Sequence, residues 1–79
     1  MNYRRNIVKK MYRLSMIGGK HTAIEHLSRG FPKHERNYVK SAIAILVKEE
    51  IILAKTTSYG MQVSLNPRKI KEIEKIIDT

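Results

Sequence analysis

The tripeptide Gly30-Phe31-Pro32 constrains the fold more than any other stretch of this sequence. A left-handed glycine, then an apolar residue that folds back and a proline that blocks continuation, is typical of an abrupt helix end. Helical patterns precede and follow this tripeptide, so two helices must meet there at a tight turn. In a chain of 79 residues, both must pack on one small core.

The helix before this turn is short, and the helix after it is the strongest of the chain. Thr22, followed three residues later by Glu25, predicts a capping box in which both side chains bind free backbone amides. After the turn, apolar residues recur at i, i+3, i+4 and i+7, which predicts a helix over about residues 33–49 that crosses the core. The apolar residues of that helix are Val39, Ala42, Ile43 and Leu46, with Ile45 and Val47 widening the face.

A further helix is predicted at the N-terminus and a hairpin after the strongest helix. Residues 3–16 form an amphipathic segment with a basic face, and the two glycines at 18 and 19 predict its end. The β-branched run 51–57 and the alternating run 61–65, joined by a short glycine-bearing loop, predict a β-hairpin.

Asn66-Pro67 predicts the start of a last helix, because asparagine suits the N-cap and proline the first turn. This helix is rich in isoleucine. The order is therefore helix, helix, helix, hairpin, helix: a mainly α fold with a β-hairpin, in one domain of residues 1–79.

The charge balance favours a polyanionic partner. Sixteen Lys and Arg against seven Asp and Glu give a net charge of +9, and residues 1–24 contain six cations and no acid. Such a field attracts nucleic acid first and anionic membranes second. A purely solubilising role for the charge is the alternative.

Several classes of function lack their sequence signals. Without cysteine there is no disulfide or thiolate site, and no apolar run is long enough for a membrane span or a signal peptide, so a soluble cytoplasmic protein is expected. The histidines and Glu25 lack the fixed spacing of a metal site, and Gly18-Gly19-Lys20 lacks the flanking residues of a phosphate loop. No catalytic arrangement is visible. We therefore expect neither an enzyme nor a cofactor, and no membrane association.

The element order resembles the winged helix-turn-helix fold, in which three helices are closed by a hairpin called the wing. Residues 48–55, Lys-Glu-Glu-Ile-Ile-Leu-Ala-Lys, look like the junction from recognition helix to wing, although glycine is common where Glu50 stands. Residues 55–67 look like the wing of small winged-helix proteins of archaea and their viruses. The resemblance covers nearly the whole chain. It implies a sequence-specific double-stranded DNA-binding protein, a transcriptional regulator, with the third helix in the major groove and the wing on the backbone.

The resemblance also implies which side chains meet DNA. Arg can pair with guanine, Asn with adenine, and Lys with guanine or phosphate. In the third helix the implied residues are Lys33, Arg36, Asn37 and Lys40, with Ser41 at the margin. In the wing they are Lys55, Thr57, Ser58, Tyr59 and Gln62. Tyr59 either stacks on a sugar or covers the backbone of its own hairpin.

The start of the second helix is expected to add a phosphate contact, because free amides at a helix N-terminus bind anions. The residues there are Lys20, His21 and Thr22.

Two questions stay open at this point. The basic first helix either contacts phosphates that flank the DNA site or pairs, through its apolar side, with the last helix of another subunit. The isoleucines of the last helix accordingly pack within the chain or form a homodimer. A winged-helix module for protein–protein interaction and an RNA-binding protein are the alternative functions.

Overall fold

A computed structural model describes residues 2–78 as four α-helices and one three-stranded antiparallel sheet. The helices are α1 Tyr3–Arg13, α2 Ile24–Ser28, α3 Arg36–Lys48 and α4 Ile70–Asp78. The strands are β1 Thr22–Ala23, β2 Ile52–Thr57 and β3 Gly60–Leu65. Single 3₁₀ turns at Lys33–Glu35 and Pro67–Lys69 precede α3 and α4. The four predicted helices and the hairpin are confirmed in their predicted order.

The third strand is the main departure from the predicted fold. The prediction was a mainly α fold with one hairpin, whereas the observed fold is mixed α and β. β1 pairs with β3, with Thr22 opposite Val63 and Ala23 opposite Gln62, so β3 is the central strand. The predicted capping box is therefore wrong: Ala23 is the N-cap of α2, and no side chain caps that helix. The free edge of β3 gives Thr22 backbone partners that a helix N-terminus would lack.

The end of α1 is also different from the predicted one. The amide of Ser15 donates to the carbonyl of Tyr12 (3.0 Å) and the amide of Met16 to that of Met11 (2.9 Å). This is the Schellman pattern, with Ser15 in the left-handed conformation at φ 58°. The helix thus ends at Arg13, before either glycine of the predicted stop, because the chain turns there to meet the end of β3.

The same motif ends α3, at the position where the sequence lacks the expected glycine. The amide of Glu50 donates to the carbonyl of Val47 and the amide of Ile51 to that of Leu46, both at 3.0 Å. Glu50 itself takes the left-handed conformation, at φ 64°. Ile51 then enters the core, so the turn directs the chain from α3 into β2.

Replacing Glu50 with glycine is expected to stabilise the protein by about 0.5–1 kcal/mol. Glycine removes the energetic penalty of the left-handed conformation, about 1–2 kcal/mol, but it destabilises the folded state by about 0.5–1 kcal/mol because the unfolded chain gains entropy. The neighbouring Glu49 has an ordinary φ of −80°, so Glu49→Gly is expected to destabilise, through the entropy of the unfolded chain and through loss of the exposed ion pair with Arg4 (3.1 Å). Urea denaturation of both variants measures the difference. A lower stability of Glu50→Gly than of the natural chain would contradict this account of the turn.

The glycine in the turn between α2 and α3 does not take the predicted conformation. Gly30 is not among the described residues with positive φ, so the predicted left-handed cap is wrong. Its amide donates to the carbonyl of Leu27 (3.3 Å) and that of Phe31 to Ser28 (3.1 Å), as in a continued tight turn. A β-carbon at Gly30 would instead meet the ammonium group of Lys10, which lies directly over it.

The core lies between α1, α3, α4 and the inner face of the sheet. The isoleucines of α4 contribute Ile73 and Ile76 to it, while Ile70 and Ile77 pack at its margin. Arg5 Nε of α1 donates to the carbonyl of Ile77 (3.0 Å), so α4 is held on α1 within the chain. The apolar face of α4 is thereby used inside one subunit, and the homodimer stays a prediction. None of the helices described between residues 2 and 78 could span a bilayer.

Candidate nucleic-acid interface

The outer side of α3 is an exposed polar stripe. The inner side of α3 consists of Val39, Ile43 and Leu46, whose side chains are completely or almost completely buried. Because an α-helix rotates by about 100° per residue, four residues lie on the side opposite the buried one, and all are exposed: Asn37, Ser41, Ala44 and Lys48. We call these four residues the α3 stripe. Of the predicted set, Asn37 and Ser41 lie on it. Lys48 was missed, although it falls on the same stripe at eleven residues from Asn37.

Two predicted residues flank the α3 stripe. Lys33 is exposed in the preceding 3₁₀ turn, and Lys40 is exposed at the side of α3 that faces α2. Lys40 Nζ lies 4.0 Å from Glu25 Oε1, at the limit of an ion pair, and both side chains are about half exposed. Such a surface pair contributes about 0–1 kcal/mol, so Lys40 can leave it for a phosphate at little cost.

Arg36 is less accessible than predicted. The residue is half-buried, and its Nε is shielded from solvent without a hydrogen-bond partner among the described residues. A base can therefore approach only the two terminal nitrogens of this guanidinium group, which can still form a bidentate contact with guanine.

The start of α3 is fixed by an aromatic contact with α1. The Tyr3 hydroxyl donates to Glu35 Oε1 (2.8 Å), and the Tyr3 ring stacks on Tyr38 with 6.1 Å between centroids. The hydrogen bond to the Glu35 carboxylate, together with burial, raises the pKa of Tyr3 above its ordinary value. Because Glu35 closes the 3₁₀ turn, this contact sets where α3 begins.

The outer face of the sheet brings together three of the predicted phosphate ligands. Lys55 of β2 lies opposite Gln62 of β3, and His21 Nδ1 is 3.1 Å from Gln62 Oε1. All three line one open depression of about 380 Å³. Lys20 is exposed just before this site. Thr22 is not part of it, since it lines a different depression beside α1.

The amides at Thr22 and Ala23 do not form the predicted phosphate seat. These residues belong to β1 and pair with β3, so they are not the free N-terminus of a helix. The α2 helix that follows has only five residues. The phosphate contact expected there is reduced to the side chains of Lys20 and His21.

The hairpin tip presents Tyr59 to the outside. The Thr57 hydroxyl donates to the Gly60 carbonyl (2.8 Å) and accepts from the Tyr59 amide (3.2 Å), so it stabilises the loop. Ser58 is exposed, and Tyr59 is 92% exposed. An aromatic side chain this exposed does not cover its own hairpin, which removes that alternative for Tyr59.

Comparison with known proteins provides no further guide to the site. No family model, no curated protein and no solved structure matches this chain. Within residues 2–78, no three His, Asp or Glu side chains lie close enough together to hold a metal ion.

Proposed function

We propose that this chain is a winged helix-turn-helix protein that binds specific sequences of double-stranded DNA and regulates transcription. The α3 stripe would read the major groove, and the β2–β3 hairpin would lie on the sugar-phosphate backbone. The observation that carries the proposal is the α3 stripe itself. It combines an amide, a hydroxyl and a cation on a helix whose other side is buried, so these groups are held in fixed positions.

The side chains suit the two kinds of contact that such a complex needs. Asn37 offers the amide that pairs with adenine, and Ser41 can bond to several bases. Lys33 and Lys40 flank the stripe and suit guanine or phosphate. On the hairpin side, Lys55 supplies a cation for backbone phosphates, which carry affinity rather than sequence information. The proposal requires no cofactor and no catalytic step.

The net charge of +9 supports a polyanionic partner of either kind, DNA or RNA. The chain has one Phe and four Tyr, a small platform for stacking unpaired bases. This favours a duplex over single-stranded RNA.

Selection of bound duplexes from a random pool tests the proposal. We expect a recovered motif of a few base pairs, bound with an affinity that falls steeply with salt, because each phosphate neutralised adds about 0.9 to the logarithmic slope. A motif with twofold symmetry would support the homodimer, with half-sites about one helical turn apart. Failure to enrich any sequence, together with no duplex binding at low salt, would overturn the proposal. Tighter binding to RNA of matched length would redirect it to RNA.

A second candidate function rests on a different observation. Tyr38 and Ile45 lie seven residues apart on one side of α3 and are 64% and 57% exposed. Exposed apolar residues beside a polar stripe are typical of a surface that docks on a protein. Stoichiometric co-purification with a protein, combined with no binding to any duplex, would favour this interaction module. Loss of that complex in Ile45→Ala would assign it to this surface.

A further inference from the structure

A basic groove runs between α1 and the turn that joins α2 to α3. It consists of two adjoining depressions of about 410 Å³ and 250 Å³, which share Lys10 and Gly30. We call the pair the α1 groove. Its cationic lining comes from both sides, and no residue of the α3 stripe or of the hairpin belongs to it. The cations are Lys9, Lys10, Arg13 and Arg29, with His26 beside them.

These cations are not neutralised by the protein. Within residues 2–78, none of the four forms an ion pair with a carboxylate. Among the described residues, the only acid in the lining is Glu35, so one carboxylate faces four cations. The Tyr3 hydroxyl binds one of its oxygens at 2.8 Å, and His34 Nε2 lies 3.6 Å from the other. The α1 groove therefore has a clear positive excess.

One cation is held in place where the two depressions meet. Lys10 Nζ lies 5.3 Å from the centre of the Phe31 ring, within the range of a cation–π contact. It passes over Gly30, where any β-carbon would displace it. Lys10 lies against the Phe31 ring and has no carboxylate partner among the described residues, so its ammonium group is available to an external anion.

Two of the remaining cations lie at a spacing that suits the successive phosphates of a nucleic-acid strand. Lys9 and Arg13 are four residues apart on α1, so their β-carbons are separated by about 5–6 Å on one face of the helix. Both are exposed. Two long cationic side chains on one face can contact neighbouring phosphates of the same strand.

We propose that the α1 groove is a second phosphate-binding surface, which takes the sugar-phosphate backbone of DNA that flanks the segment read by α3. This proposal rests on the proposed function, because the groove reaches Pro32 and Glu35 at the start of α3. A duplex bound there by α3 would continue past α1. The groove would add affinity without adding sequence information.

A comparison of two duplexes tests this second contact. One ends at the selected motif, and the other extends it by about 10 base pairs, one helical turn, on each side. The full chain is expected to bind the longer duplex more tightly. In the double variant Lys9→Gln/Arg13→Gln, the logarithmic salt slope on the longer duplex should fall by about 1.8, at about 0.9 per contact, and the preference for length should shrink.

The matched control is Arg68→Gln/Lys71→Gln, which removes one Arg and one Lys outside the groove. It should keep most of the salt slope and the length preference, and thermal melting should show all the proteins folded. If the two double variants behave alike while the natural chain binds the motif, the groove proposal fails and the proposed function stands. If the natural chain binds no duplex, both fail.

Free phosphate is distinguished from backbone phosphate by competition. Inorganic phosphate, added at constant ionic strength, is expected to leave the length preference unchanged. If inorganic phosphate binds the natural chain but not Lys9→Gln/Arg13→Gln, and the natural chain shows no length preference, the groove is a site for free phosphate and the backbone assignment is overturned.

Discussion

Replacing Ile43 with alanine is expected to destabilise the protein by about 2–5 kcal/mol, because the truncation leaves a cavity in the core. Ile43 is 1% exposed and belongs to the buried cluster between the helices and the sheet. Small domains have a total stability of about 5–15 kcal/mol, so this loss is a large fraction of the free energy of unfolding. Thermal melting should show a Tm lower by about 10 °C or more.

The same substitution two residues along α3 provides the control. Ile45 is 57% exposed, and Ile45→Ala is expected to change stability by no more than about 0.5 kcal/mol. The two variants lose the same atoms on the same helix, so the comparison isolates burial from helix propensity. Equal losses in the two variants would mean that α3 does not present the described face to the core.

This pair also shows what the sequence could predict about α3. The periodic positions Val39, Ile43 and Leu46 were predicted to be in the core and are. Ile45 was counted in a widened apolar face, yet it is exposed. Periodicity locates the centre of a helix face, whereas its width depends on how many neighbouring elements pack against it. Those neighbours are known only from the fold.

The start of α2 could not be predicted for a related reason. Thr22 and Glu25 have the spacing of a capping box, and the local sequence contains no signal against it. A two-residue strand is too short to have a pattern of its own. Thr22 and Ala23 become β1 only because β3, about forty residues away, offers them a free edge.

The two left-handed residues show the limit of composition rules at helix ends. Glycine is the usual choice at such a position, and the glycines of this chain predicted ends at Gly18 and Gly30. The chain instead ends α1 with Ser15 and α3 with Glu50, and the α2 end at Arg29 is not left-handed. The two left-handed conformations are imposed by the need to bring the following residues, Met16 and Ile51, back towards the sheet and the core.

For the candidate site, periodicity predicted the exposure of several residues but not their arrangement, and their role in binding stays a prediction. The exposed positions of Asn37, Ser41 and Lys55 follow from periodicity, which the structure retains. The involvement of Thr57 in its own loop does not follow from periodicity, since it depends on hydrogen bonds across the turn. A contact between the basic first helix and flanking phosphates was one expectation from the sequence, but the α1 groove itself was not, because Arg29 and the α2–α3 turn meet α1 only in the fold.

Substitutions in the α3 stripe and in the hairpin are expected to affect DNA binding in different ways. If the α3 stripe reads DNA as proposed, Asn37→Ala should lower discrimination by about 1–3 kcal/mol at one base position, because its amide is the group that pairs with adenine. Lys55→Ala should instead weaken binding to every duplex alike and reduce the salt slope by about 1. Both residues are exposed, so neither change should affect folding.

Equilibrium binding to the selected motif, to each single-base variant of it and to a random duplex measures both effects. Asn37→Ala is expected to reduce the preference for one base pair and leave affinity for the random duplex unchanged, since an amide contact to a base carries no net charge. Lys55→Ala is expected to keep the ranking of the sequences, since phosphates are common to all of them. An equal loss on every duplex for Asn37→Ala would show that Asn37 contacts the DNA backbone rather than a base, and α3 would then not be the source of sequence discrimination.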